Sequence, residues 1–163
     1  MRASHLLATG AALALSLATI APALSMGSND PAPQPRASKP ANPDFDAGKA
    51  AVGKEDWPNA IASLKKAVAN EPNNPEAHNL LGYATRKSGD ARGSLAHYQQ
   101  ALSLDPKHLG AHEYIGEAYL MLNDLPKAEE HLAKLSDLCT FGCKEERALK
   151  AAIAAHKAKP KQS

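Results

Sequence analysis

The 163-residue sequence has few of the residues that several common classes of binding protein require. Aromatic residues make up 4%, too few for a stacking platform that binds single-stranded nucleic acid. The 19 Lys and Arg residues nearly balance the 17 Asp and Glu residues, and a net charge of +2 argues against an electrostatic nucleic-acid binder. Two cysteines cannot build a disulfide-dense scaffold or a four-thiolate zinc site. We therefore expect no nucleic-acid partner.

The first 25 residues have the three-part organisation of a secretory signal peptide. Arg2 provides a basic start, residues 6–20 are mainly apolar, and residues 21–25 carry the small side chains that precede a cleavage site. The apolar run is shorter than the roughly 20 residues of a membrane-spanning helix, and a proline follows it. We expect cleavage after residue 23 or 25, no stable membrane insertion, and export to the periplasm of a bacterial cell.

Residues 26–43 form a proline-rich segment with almost no apolar side chains. Such a segment cannot bury enough surface to fold and favours extended polyproline II conformers. We interpret it as a disordered linker; the alternative, a proline-rich ligand for a partner, stays open. Residues 159–163 are predicted to be a disordered tail.

A period of 34 residues runs through the rest of the chain, as expected for a repeat protein. It relates three glycines (Gly48, Gly82, Gly116), three aspartates (Asp56, Asp90, Asp124) and two prolines (Pro72, Pro106). Apolar residues at helical spacing predict two helices in each unit, separated by a tight turn. In the middle unit, Asp90 is placed to cap the second helix. We expect the recurrent glycine, with the small residue of the second helix, to lie where two helices cross closely.

The middle unit, residues 75–108, resembles the tetratricopeptide repeat. The positions that carry the resemblance are Leu81, Gly82, Gly89, Asp90, Tyr98, Ala101, Asp105 and Pro106. The resemblance implies an all-α fold: a right-handed superhelix of three antiparallel helix-hairpin repeats plus a C-terminal capping helix. The repeats would span about 41–74, 75–108 and 109–142, and the capping helix about 143–158, within a repeat domain of residues 44–158.

In this family the first helix of each unit lines a concave groove that binds a peptide or a partner helix. The resemblance implies that the groove residues here are Phe45, Lys49, Val52, Asn79, Tyr83, Arg86, Glu113, Glu117 and Leu120. Glu113 and Glu117 stand where the chaperone-tail subtype has cations, so we expect a mixed-charge extended segment as the ligand. We expect substitution of Tyr83 and Arg86 to weaken partner capture without lowering stability. The alternative, that these side chains form a merely solvated surface, stays open.

Cys139 and Cys143 flank a short turn before the predicted capping helix. In an exported protein we expect such a pair to form a disulfide that fixes this helix to the third repeat. Free or redox-active thiols and a metal site remain alternatives. A thiol-redox or metal-handling protein that uses these cysteines is therefore the alternative function.

The remaining motifs do not indicate an enzyme. Residues 48–54 match the start of a phosphate-binding loop, but Glu55 replaces the hydroxyl residue that would hold magnesium. The four-residue spacing of His108 and His112 is possible for metal binding, whereas His78/His112 and His97/His131 recur by 34 and are interpreted as copies of one packing position. We expect a non-enzymatic protein-interaction scaffold with no metal and no cofactor.

Overall fold

The computed structural model describes residues 42–159, which contain seven α-helices and no strand. The helices are α1 (Pro43–Gly53), α2 (Trp57–Asn70), α3 (Pro75–Lys87), α4 (Ala91–Leu104), α5 (Leu109–Met121), α6 (Leu125–Leu138) and α7 (Lys144–Ala158). The predicted all-α fold is confirmed for these residues. None of these seven helices has the length and hydrophobicity needed to cross a membrane. The predicted signal peptide, most of the proline-rich linker and most of the tail lie outside the described residues.

A polar residue begins six of the seven helices by accepting a backbone N–H bond from the residue three positions later. These N-cap residues are Asn42, Asp56, Asn74, Asp90, His108 and Asp124. The predicted cap by Asp90 is confirmed, because its carboxylate accepts a bond of 2.7 Å from the backbone N–H of Gly93. Prolines occupy the first turn of α1, α2, α3 and α6, where the missing N–H has no intrahelical partner to lose.

The turn inside each hairpin contains one residue in the left-handed backbone region. These residues are Glu55 (φ 56°), Gly89 (φ 104°) and Asn123 (φ 59°), and they share the 34-residue period. Only the middle unit has glycine at this position, which hid the register from the sequence analysis. Glu55 therefore adopts a backbone conformation that is unfavourable for a residue with a Cβ atom.

Each helix packs on its sequence neighbours, and α7 packs on both α5 and α6. One core cluster lies between the first two hairpins and contains Leu64 and Leu81. A second cluster joins the third hairpin to α7, where Leu149 is fully buried and Ile153 is 5% exposed. The apolar stripe of α7 therefore covers the end of the stack, as a terminal helix of a repeat array must.

The recurrent glycines face large side chains. A Cβ atom on Gly82 would lie 2.7 Å from the ring of Tyr98, and one on Gly116 would lie 2.6 Å from the side chain of Leu149. The expectation that glycine meets the small residue of the second helix is wrong, because the space left by the missing Cβ is filled by a large residue. At Gly116 that residue comes from α7 instead of from the second helix of the same unit.

The turn between α6 and α7 brings the two cysteines together. The sulfur atoms of Cys139 and Cys143 lie in disulfide contact, and their Cα atoms are 5.7 Å apart. Cys143 is also the N-cap residue of α7 and makes no side-chain capping bond, while Glu145 and Glu146 occupy the first turn of that helix. Their negative charges are placed favourably for the helix dipole.

Candidate partner-binding surface

A cavity of about 370 Å³ lies between α3, α5 and α7. Its lining residues are Arg86, Glu117, Leu120, Met121, Ala152, Ala155, His156 and Lys159. The structure thus brings together three of the nine predicted groove residues, Arg86, Glu117 and Leu120, and adds five that the sequence analysis missed. The 34-residue period carried a signal for the missed residues of α7, because a fourth unit would begin at residue 143. In that register α7 corresponds to the first helix of a further unit.

Arg86 is paired inside the protein. Its guanidinium lies 2.7 Å from the Glu117 carboxylate, and its Nε donates a hydrogen bond of 3.3 Å to the hydroxyl oxygen of Tyr98. The side chains of Arg86 and Glu117 are 9% and 26% exposed. The expectation that Arg86 could be replaced without loss of stability is therefore wrong, because its removal would leave a partly buried carboxylate unpaired.

An aromatic row, formed by Trp57, Tyr83 and Tyr114, continues from the cavity toward the first hairpin. The ring centroids of Tyr83 and Tyr114 are 4.8 Å apart, and those of Trp57 and Tyr83 are 6.0 Å apart in an edge-to-face arrangement. The Arg86 guanidinium lies 5.5 Å from the centroid of Tyr83 and 5.7 Å from that of Tyr114. Arg86 therefore connects the row to the cavity. All three rings are partly exposed.

The first helix contributes one exposed cation and two partly buried apolar side chains. The Lys49 ammonium is exposed and lies 5.6 Å from the ring centroid of Phe45. Phe45 and Val52 pack against the first core cluster, so part of each side chain stabilises the fold. A second cation, Lys87, lies 5.7 Å from the ring centroid of Trp57. The first hairpin and α3 together make this end of the surface positive.

Two further predicted groove residues are largely buried. Leu120 is 8% exposed and belongs to the second core cluster, although it also lines the cavity. Asn79 is 3% exposed, and its amide nitrogen donates a bond of 3.4 Å to Glu76. The side-chain oxygen of Asn79 is buried without a hydrogen bond to the described residues. Its polar group therefore has an unused acceptor, a feature that is uncommon in folded proteins.

The opposite end of the surface is acidic. Burial raises the pKa of Glu113 to about 7, and the neighbouring carboxylates of Glu117 and Glu145 raise it further, while Lys144 and Arg86 oppose the shift. Glu145 belongs to α7, so that helix extends the negative end that Glu113 and Glu117 begin. A bound segment would meet positive charge at the first hairpin and negative charge at the third.

Comparisons with known proteins support the repeat fold. A family model described as tetratricopeptide repeat matches residues 85–138, and one described as TPR repeat matches residues 48–89; together they span more than half of the chain. The human protein O-mannosyl-transferase TMTC3 is 29% identical over 75 residues. That match covers 46% of this chain and 8% of the human protein, so the chain spans less than a tenth of this curated relative.

Solved structures of repeat domains have the same architecture. The Sgt2 TPR domain of Aspergillus fumigatus is 23% identical, with 80% of this chain and 93% of that chain covered at a TM-score of 0.66. The TPR2B domain of yeast Sti1, solved in complex with pHsp70, is 18% identical, with 71% and 94% covered at a TM-score of 0.64. With three glycine-marked hairpins in phase and two matching family models, the chain belongs to the tetratricopeptide repeat family.

Proposed function

We propose that this chain is an exported, non-enzymatic interaction module that holds an extended segment of a partner protein across the cavity and the aromatic row. The observation that carries the proposal is the cavity itself. Its apolar lining from α5 and α7 includes Met121, which is 52% exposed although it is a large hydrophobic residue. A partner's apolar side chain would cover this surface and gain the free energy of removing it from water.

The charge distribution suggests the composition of the segment. Lys49 and Lys87 would face acidic residues of the partner, and Glu113 would face a basic one, so a segment of mixed charge fits better than a purely acidic tail. Arg86 supports the surface from beneath because its charge is already used by Glu117. The yeast Sti1 domain, which shares the fold, was solved in complex with pHsp70 and so provides a precedent for a bound partner on this architecture.

Met121 and Phe141 allow a matched test of the surface. Met121 lines the cavity, whereas Phe141 is fully exposed in the turn between α6 and α7 and does not line it. Affinity capture from the native envelope fraction should recover the same partner with the wild-type chain and with Phe141→Glu, and lose it with Met121→Glu. A synthetic segment of the captured protein should reproduce this order of binding. Equal capture by Met121→Glu and wild type would contradict the proposal.

Export and the disulfide form one further part of the proposal. The basic-apolar-small pattern of residues 1–25 supports export, and the disulfide contact of Cys139 and Cys143 supports an oxidising compartment. Mass spectrometry of unreduced protein from the periplasmic fraction should find a chain shortened at residue 23 or 25 with no free thiol. Two free thiols would contradict the disulfide, and an intact N-terminus would contradict export by cleavage.

A further inference from the structure

Two histidines meet between α5 and α6. The Nδ1 atoms of His112 and His131 are 2.9 Å apart, and the Nε2 of His112 lies 3.1 Å from the backbone carbonyl oxygen of Pro106. A carbonyl oxygen only accepts hydrogen bonds, so Nε2 of His112 carries the proton and donates it. Nδ1 of His112 is therefore a lone-pair acceptor, and Nδ1 of His131 is the donor between the rings.

We propose that His112 and His131 together bind a divalent transition-metal cation through their Nδ1 atoms. With metal–nitrogen bonds of about 2.0–2.1 Å, two nitrogens 2.9 Å apart subtend an angle of about 90° at the metal. Square-planar and octahedral cations such as Cu²⁺ and Ni²⁺ have ligands at this angle, whereas a tetrahedral Zn²⁺ site needs the nitrogens farther apart. The first choice of cation is therefore Ni²⁺ or Cu²⁺.

The surroundings of His112 already have the form that a metal ligand requires. Ligating histidines usually donate their second ring N–H to a carbonyl or carboxylate, which orients the ring, and the Pro106 carbonyl does this for His112. The ring of Tyr119 stacks on His131 with centroids 5.8 Å apart and limits its rotation. On metal binding, His131 would move its proton from Nδ1 to Nε2, so the exchange releases no net proton.

Protons compete weakly for these rings. Burial lowers the pKa of both histidines, that of His131 to about 4, with His112 adding to the effect on His131. At neutral pH both rings are therefore neutral, the state that binds a metal. The charged neighbours of His112 act in opposite directions: Lys134 of α6 opposes an added cation, and Asp105, before α5, favours it.

The described residues contain no group of three or more His, Cys, Asp and Glu side chains that could hold a metal. The proposed site therefore has two protein ligands, and water would occupy the other coordination positions. We expect a saturable but moderate affinity. The cation would also join α5 to α6 and so stabilise the third hairpin.

The preceding repeat offers a matched control. His78 and His97 stand 34 residues before His112 and His131, and Nε2 of His78 lies 2.9 Å from the carbonyl oxygen of Pro72. Nδ1 of His78, however, is buried without a hydrogen bond within residues 42–159, so the two rings of this unit are not joined as those of the third unit are. The proposal therefore assigns the site to the third unit alone.

The test is calorimetric titration of the full chain, produced without an affinity tag, with NiCl₂ in a weakly coordinating buffer at neutral pH. The wild type and His97→Gln should show the same single class of site, and His131→Gln should lose it. Lys134→Gln should bind several-fold more tightly, because a like charge near the site is removed. Unchanged binding by His131→Gln, or loss of binding in His97→Gln alone, would overturn the proposal.

A second measurement keeps the test valid if a variant folds less well. Saturating NiCl₂ should raise the thermal midpoint of the wild type and of His97→Gln, because a ligand that binds only the folded state stabilises it, and EDTA should reverse the rise. His131→Gln should unfold cooperatively with a midpoint that does not respond to nickel. A nickel-dependent rise of equal size in His131→Gln would also reject the site.

Discussion

Arg86 of α3 and Glu117 of α5 form an ion pair of 2.7 Å beneath the candidate binding surface. The Arg86 guanidinium also donates to the hydroxyl of Tyr98 and lies over the rings of Tyr83 and Tyr114. One side chain thus joins the second hairpin to the third and supports the aromatic row. This pair is a structural element of the stack, and its charge is not free for a partner.

Replacing Arg86 should therefore lower stability. Arg86→Met leaves the carboxylate of Glu117 unpaired and the hydroxyl of Tyr98 without this partner, so the free energy of unfolding should fall by about 2 kcal/mol in urea denaturation. Lys87→Met, which removes the neighbouring exposed cation, should change it by less than about 0.5 kcal/mol. Equal stability of Arg86→Met and wild type would show that the pair contributes nothing net.

Docking of α7 should depend on the absence of a side chain at Gly116. A Cβ there would lie 2.6 Å from Leu149, so Gly116→Ala should displace α7 and lower the free energy of unfolding by about 1–2 kcal/mol. Hydrogen exchange of the α7 amides should accelerate more than that of α3. Gly53→Ala is the control, because nothing lies within 4 Å of its added Cβ, and it should be neutral or stabilising. Unchanged exchange in α7 would contradict this role for Gly116.

The repeat period predicted the hairpins because identical packing positions recur in every unit. Asp90 and its counterparts in the flanking units cap their helices as the period requires. The period could not predict that Gly116 contacts Leu149 of α7, since the partner of a glycine depends on which helix covers it in space. The left-handed turn position also escaped notice, because Glu55 and Asn123 do not share the glycine found between them.

The register also identified part of the surface but could not rank the exposure of its residues. It placed Arg86, Glu117 and Leu120 on first helices, and the structure brings these three to one cavity. Whether a cation such as Arg86 is paired depends on distances between helices that no spacing in the sequence contains. The contact of His112 with His131 has the same origin: both registers were recognised, but the approach of the rings depends on how α5 packs on α6.

The turn of the first hairpin should be improved by glycine. Glu55 has a φ of 56°, a conformation that costs a residue with a Cβ roughly 1–2 kcal/mol, of which the greater flexibility of unfolded glycine removes part. Glu55→Gly should therefore raise the free energy of unfolding by about 0.5–1 kcal/mol in urea denaturation. Gly89→Ala is the reverse experiment at the equivalent position and should lower it. A destabilised Glu55→Gly would contradict the assignment of strain.

Glu113 should make stability depend on pH. Its pKa is near 4.5 in the unfolded chain and is raised to about 7 in the folded protein by burial and by nearby carboxylates. The folded state therefore holds a proton that the unfolded state has lost, so this stabilisation is complete below pH 4.5 and is lost as pH rises through about 7. The His131 contribution has the opposite sign, because a pKa lowered to about 4 removes stability as pH falls.

Comparing wild type with Glu113→Gln separates the two contributions, since the histidines are the same in both proteins. Between pH 4.5 and 7 the variant should gain stability relative to wild type, reaching at most about 1 kcal/mol once solvent screening of the half-exposed carboxyl is included. Urea denaturation across this range, with EDTA present to exclude metal binding, measures the difference. A difference that stays constant with pH would mean that Glu113 titrates alike in the folded and unfolded states, and that the acidic end of the surface is as hydrated as the unfolded chain.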